Sequence, residues 1–137
     1  MGKKAIRCAW MLCLVVFSLT GCISRPQKTE KLYDLEFQVL DKEAVPEELN
    51  KEIEEKKSMP FRLTFADQGS LYIAQGYGAQ KKTGYSVEVL ALYETKTAVY
   101  IHTNLLGPQK GEETKEITTF PYVVVKLKYI DKDVVFD

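Results

Sequence analysis

His102 is the one histidine in a chain of 137 residues, so a general base or an imidazole ligand would rest on it alone. Val99 and Ile101 alternate with Tyr100, His102 and Asn104, and a strand with that period turns the imidazole towards solvent. Ordinary zinc sites need further nitrogen or sulfur ligands, and a nucleophilic triad needs a serine or cysteine aimed at the ring. The three cysteines, Cys8, Cys13 and Cys22, are confined to the N-terminal stretch, and Gly-x-Ser-x-Gly occurs nowhere. Gly76-Tyr77-Gly78 has the glycines of a phosphate-binding turn, but such a turn opens a helix, and here a strand pattern starts at Tyr85. Asp131 and Asp133 lack the glycine hinge and closing glutamate of a calcium loop and read as a solvated turn. The acidic run from Asp41 to Glu55 reads as the wet face of a helix. This inventory points to no catalytic residue, no cofactor and no metal, and a protein that is not an enzyme.

Charge narrows the partners. Lys plus Arg and Asp plus Glu each number 19, for a formal net charge of zero. A nucleic-acid protein needs a basic excess to neutralise phosphates, so none is expected as a partner. At 45% hydrophobic residues, the chain is too apolar for a disordered tail and too polar for a polytopic membrane protein.

These totals average over two unlike parts. Lys3, Lys4 and Arg7 precede an apolar run from Cys8 to Thr20, whereas a helix needs roughly 20 residues to span a bilayer. A basic start, a short apolar run and small residues after it describe a secretory signal peptide. Leu19-Thr20-Gly21-Cys22 resembles the lipobox of bacterial lipoproteins. The resemblance implies cleavage before Cys22 and acylation of its sulfur by a diacylglycerol group. Acyl chains add ~0.8 kcal/mol of membrane affinity per buried methylene, and two or three hold where one exchanges. The expected location is therefore extracytoplasmic, lipid-anchored to the cell membrane or to an outer membrane where the host has one. Residues 1–21 are expected to be the signal peptide, 22–30 a lipidated tether and 31–137 a single β-rich domain. Losing three basic residues and no acid takes the mature chain from neutral to −3, and its only cysteine is committed to lipid.

Periodicity predicts the elements. Tyr33, Leu35, Phe37 and Val39 alternate with Asp34, Glu36 and Gln38, the pattern of one half-buried strand over Leu32 to Leu40. Val45, Leu49 and Ile53 recur every four residues, with glutamates early and Lys56 and Lys57 late, which predicts one helix over a sheet edge or end. From Pro60 the chain reads as strands punctuated by Asp67-Gln68-Gly69, Gly76, Gly107-Pro108 and Asp131-Lys132-Asp133. The strand from Tyr85 to Tyr93 reads as buried on much of both faces, and Pro121 stands at a strand start. The fold class expected is mainly β, a small antiparallel β-sandwich or open barrel with one short helix.

One loop stands out as a binding surface. Gly76 to Tyr85 holds three glycines, Lys81 and Lys82 without a nearby acid, and Tyr77 and Tyr85 as amphipathic contact area. Tyr77, Lys81, Lys82, Thr83, Gly84 and Tyr85 are the candidate partner-binding residues, on the argument that long polar loops carry function. A mere connector, with Gly84 in a turn and Tyr85 in the core, is the competing reading.

Gly76, then Lys82-Thr83-Gly84-Tyr85-Ser86-Val87-Glu88-Val89, the Pro108 loop and Thr119-Phe120-Pro121-Tyr122-Val123-Val124-Val125 together resemble the PrcB C-terminal domain family. The likeness runs from about Leu71 to Val135. The family's doubled glycine is single here at Gly84, and Phe120 stands for the first tyrosine of its Tyr-Pro-Tyr. The resemblance implies a non-enzymatic envelope protein that binds or stabilises another protein, a secreted protease being the partner it suggests. Lys82-Thr83-Gly84-Tyr85 also resembles the Thr-Gly-Tyr loop of chagasin-like peptidase inhibitors, with Gln80-Lys81 in place of their Asn-Pro. A direct peptidase inhibitor is the alternative that this second likeness implies.

Overall fold

A computed structural model of the chain describes residues 30–137. The expectations for the signal peptide and for Cys22 lie outside the described residues. The elements run β1 (Tyr33–Asp34), β2 (Gln38–Val39), a 3-10 turn (Lys42–Ala44), α1 (Glu47–Lys56), β3 (Pro60–Asp67) and β4 (Ser70–Tyr77). They continue through β5 (Ser86–Glu94), β6 (Ala98–Leu106), β7 (Tyr122–Lys128) and β8 (Asp133–Phe136).

Two four-stranded sheets result, in the orders β1-β5-β6-β8 and β2-β7-β4-β3. They remain separate, so the fold is a sandwich and not a closed barrel. Its inner core joins Leu92, Val99 and Ile101 of the first sheet to Leu71, Ile73, Val123, Val125 and Leu127 of the second. Ile73, Val99, Ile101 and Val125 are wholly buried, and each such side chain contributes about 1.5–3 kcal/mol.

Helix α1 covers the outer face of the second sheet, where the sequence suggested an edge or end. Val45, Leu49 and Ile53 pack against Phe61, Tyr72, Ala74 and Val124. The helix needs this layer because ten residues with a four-residue apolar spacing are marginal alone. It also explains the unbroken apolar run in β7. Val123 and Val125 face the other sheet while Val124 faces α1, so both sides of the strand are dry.

Three features depart from the sequence-based expectation. The segment Leu32 to Leu40 is not one strand. Its first part pairs with β5 and its second with β7, and the chain crosses between the sheets in the middle. Because no single sheet holds it, the expected apolar side is not buried: Tyr33 is 56% and Val39 62% exposed. Of that side only Leu35 turns inward, to the inter-sheet core, while Leu40 joins the layer under α1.

The second departure is in β5. A bulge between Val89 and Ala91 shifts its register against β6, and one extra residue reverses the face of everything after it. Val87 and Val89 point inward before the bulge and Leu92 after it, while Leu90 is left 52% exposed. β5 is thus buried on one face only. Third, β8 lies parallel to β6 in an otherwise antiparallel structure. β7 and β8 belong to different sheets, and the short turn between them reverses the chain into the direction that β6 already has.

Candidate protein-binding site

All the long loops gather at one end of the sandwich. β4 ends there at Tyr77, β5 begins at Ser86, β6 ends at Leu106 and β7 begins at Tyr122. The connections 78–85 and 107–121 therefore lie side by side. The described chain begins at the opposite end, where the Leu32 amide donates to the Glu94 oxygen at 2.8 Å.

The two connections are one hydrogen-bonded unit. Gln80 and Thr119 form a reciprocal bridge, with N–H to O distances of 2.8 and 2.9 Å. The Thr83 amide donates to the Lys115 oxygen at 2.9 Å, and the Lys115 amide returns a bond to the Thr83 hydroxyl at 2.9 Å. The Thr119 hydroxyl donates to the Lys82 oxygen at 2.9 Å. Gly84 has φ of +99° and lies against the Pro108 ring, a place where a side chain would meet both strain and collision.

The structure separates the six candidate loop residues by role. Lys81 is exposed, and Lys82 is half-buried beside it. Thr83 and Gly84 are structural, holding the second loop. Tyr85 is half-buried near Gly107, within ordinary contact distance of where a Cβ there would stand. Tyr77 belongs to β4, and its hydroxyl lies 2.6 Å from Thr103 Oγ1 in the inter-sheet layer. Thr103 spends its single proton on Gln75 Oε1 at 2.8 Å, so Tyr77 is the donor of the other bond. Gly76 also lies within β4, where a Cβ would strike the Phe61 ring.

Two exposed apolar side chains complete this end, and the sequence reading missed both. Ile117 is 56% and Met59 69% exposed. Met59 belongs here because the Ala79 amide donates to the Ser58 oxygen at 3.2 Å, which ties the end of α1 to the loop. Lys57 reinforces that tie, with its ammonium 5.0 Å from the centre of the Phe120 ring and 2.7 Å from Glu54. Lys57, with Lys42 behind it, holds the Glu54 carboxyl below its ordinary range. The visible signal was only compositional, since isolated apolar residues in polar loops are common on any surface.

His102 stands exposed on the outer face of the first sheet, as its alternation with Val99 and Ile101 predicts. Its Nδ1 donates to the main-chain oxygen of Asp137 at 3.0 Å. Among the described residues no group of three or more His, Cys, Asp or Glu side chains could hold a metal ion.

Fold and loops together define a helix-backed β-sandwich with a composite loop surface carrying lysines, exposed apolar groups and the glutamates of the second loop. Glu112 Oε2 lies 3.3 Å from where a Cβ at Gly84 would stand, so the expectation of lysines without a nearby acid does not hold. Residues 71–128 match the family model described as PrcB C-terminal, in agreement with the likeness read from Gly76, the Lys82 to Val89 run and the Thr119 to Val125 run. The match runs from β4 to the end of β7, so it takes in both long loops and the strands that carry them. No curated protein and no solved structure matches the chain.

Proposed function

We propose that this protein is a lipid-anchored, extracytoplasmic, non-catalytic protein-binding module. The loop end takes a partner protein, and the partner class is a secreted protease or the envelope complex that contains one. The observation that carries the reading is the PrcB C-terminal match over 71–128, because the residues it spans build the composite loop surface. Lys81, Lys82 and Ile117 are the contact residues in this account. The lysines supply charge at the rim, and Ile117 supplies the apolar anchor that a specific interface needs.

The anchor and the loops complement each other in this reading. Cys22 carries the lipid, and the tether joins the domain beside Glu94. β5 runs from there to the loops over nine residues, a distance of roughly 25–30 Å. The loops thus face away from the bilayer, towards a partner in the extracytoplasmic space.

Two experiments test the two halves. Cys22→Ala leaves the precursor unprocessed and without lipid, whereas cleavage at the same bond would refute the anchor. A photo-crosslinking residue at Ile117 in the native host captures one dominant protein, and the same residue at Glu48 on α1 does not. Equal capture from both positions would refute the loop surface.

A further inference from the structure

Strand β8 stops halfway along the sheet edge that it covers. It pairs with Ala98 to Ile101 of β6, and β6 runs on to Leu106. β3 meets β8 from the second sheet, with the Arg62 guanidinium 5.6 Å from the centre of the Phe136 ring. At the level of the sandwich beyond Phe136, a cavity of about 350 Å³ lies against β3 and β4. Arg62, Gln75 and Tyr77 line it together with Pro60, Phe61 and Gly76. Gln75 and Tyr77 continue the inward row of Leu71 and Ile73, and Arg62 stands opposite Gln75 in the β3–β4 ladder.

The Gln75 amide is only half satisfied. The residue is 7% exposed, and its Oε1 accepts the Thr103 proton at 2.8 Å. Its Nε2 has no hydrogen-bond partner among the described residues, which leaves two donors unmet inside the sandwich. No wholly enclosed side-chain nitrogen or oxygen of the described residues lacks a partner. This Nε2 is therefore reached from solvent, and the cavity that Gln75 lines is the route. Arg62, the only arginine among the described residues, has no carboxylate partner there. A guanidinium held over a ring keeps its N–H groups for another acceptor.

We propose that this cavity binds a carboxylate at the size of one acidic amino-acid residue, free or within a peptide. One carboxylate oxygen takes the Arg62 fork, and the other takes the Gln75 Nε2 donors, so that both unmet groups are satisfied at once. Arg62 is the only charged side chain in the lining, and it matches the single negative charge of a carboxylate better than the higher charge of a phosphate. The volume stands at the lower end of the roughly 300–1,000 Å³ of ligand cavities, which suits a ligand of that size. The Tyr77 hydroxyl holds Thr103, and Thr103 holds the amide with its nitrogen turned away and free. The site uses none of Lys81, Lys82 and Ile117, and it needs neither the lipid nor a bound partner.

The test uses the isotopically labelled full chain in micelles of a non-ionic detergent. The acidic probes are propionate and a capped Ala-Glu-Ala peptide, and the controls are propionamide, capped Ala-Gln-Ala and inorganic phosphate. At millimolar concentration at least one acid shifts the side-chain resonances of Gln75 Nε2 and Arg62 Nε. Neither amide shifts them, and phosphate binds more weakly than that acid. Whichever acid saturates first identifies the source, a free acid or an acidic peptide. Arg62→Gln weakens the acid by at least about tenfold, and Arg62→Lys by less, because the charge stays and the fork goes. Gln75→Glu keeps an acceptor for Thr103, replaces the donors by a like charge and abolishes binding. Arg62 is exposed, so its variants report even if the Gln75 variant folds poorly. No shift with either acid, an equal response to the amides, tighter binding of phosphate, or unchanged affinity in Arg62→Gln would each overturn the proposal.

Discussion

Thr119 donates its hydroxyl to the main-chain oxygen of Lys82 at 2.9 Å, across 37 residues of chain. With the Gln80–Thr119 bridge, this bond makes the two long loops a single surface. Thr119→Val keeps the shape and removes the donor, which costs about 0.5–1.5 kcal/mol. Hydrogen exchange at the Gln80 and Thr83 amides should quicken while the core strands stay protected. Unchanged exchange at both amides would mean that the loops are held by something else.

Gly84 holds the same surface by its backbone. An alanine there would keep φ near +99° with its Cβ 2.9 Å from Pro108, and we expect Gly84→Ala to cost about 1–3 kcal/mol. The urea midpoint measures it.

Burial predicts opposite outcomes for two isoleucines. Ile53 is fully buried between α1 and the second sheet, and Ile53→Ala should cost about 2–5 kcal/mol of stability. Ile117 is 56% exposed, and Ile117→Ala should change stability by less than about 0.5 kcal/mol while weakening partner capture. Thermal melts and a capture assay on the same two variants separate folding from binding.

The end where the described chain begins has its own clasp, and it titrates. Lys132 reaches Glu94 Oε2 and the Thr95 oxygen, each at 2.7 Å. Lys132, then Tyr33, hold the Glu94 carboxyl below its ordinary 4.5. A carboxyl depressed in the folded chain contributes stability that is complete above its unfolded value and lost as pH falls through the folded one. The urea midpoint should therefore drop as pH falls below about 4.5, and less steeply in Lys132→Met. Tyr33 has the opposite sign: Glu94 raises it above 10.0, so its contribution is lost as pH rises through the folded value. Tyr33→Phe should flatten that alkaline limb.

What was legible in the sequence depended on whether one neighbour decided each residue's face. Val45, Leu49 and Ile53 have a single partner layer, and their spacing gave the helix and its buried side directly. Val123, Val124 and Val125 were legible only as part of a strand after Pro121, and that both faces of it are dry follows from the second sheet's place between α1 and the first sheet. The Leu32 to Leu40 segment failed because it serves two sheets, and alternation carries no mark of where a chain crosses between them. β5 failed at one residue: Leu90 bulges, and Tyr93 comes out on the face opposite to the one that strict alternation implies. The loop at Lys81 and Lys82 was legible through its glycines and charge. Its partners Lys115 and Thr119 were not, since hydrogen bonds over more than 30 residues leave no local pattern. Tyr77 looked like a loop residue because Gly76 and Gly78 flank it, yet its hydroxyl is committed to Thr103 inside the sandwich.

The central claim is that the loop end binds a partner protein, and one comparison in the native host tests it. Wild type and the triple variant Lys81→Ala, Lys82→Ala, Ile117→Ala are each crosslinked in intact cells and purified, and the captured protein is quantified. All three changes fall outside the core, so both forms should reach the same level and melt within a few degrees of each other. The account predicts one dominant partner on the wild type and at least a tenfold loss on the variant, the roughly 1.4 kcal/mol that a truncated apolar anchor and two rim charges supply. Equal capture of that partner by the two forms would contradict it.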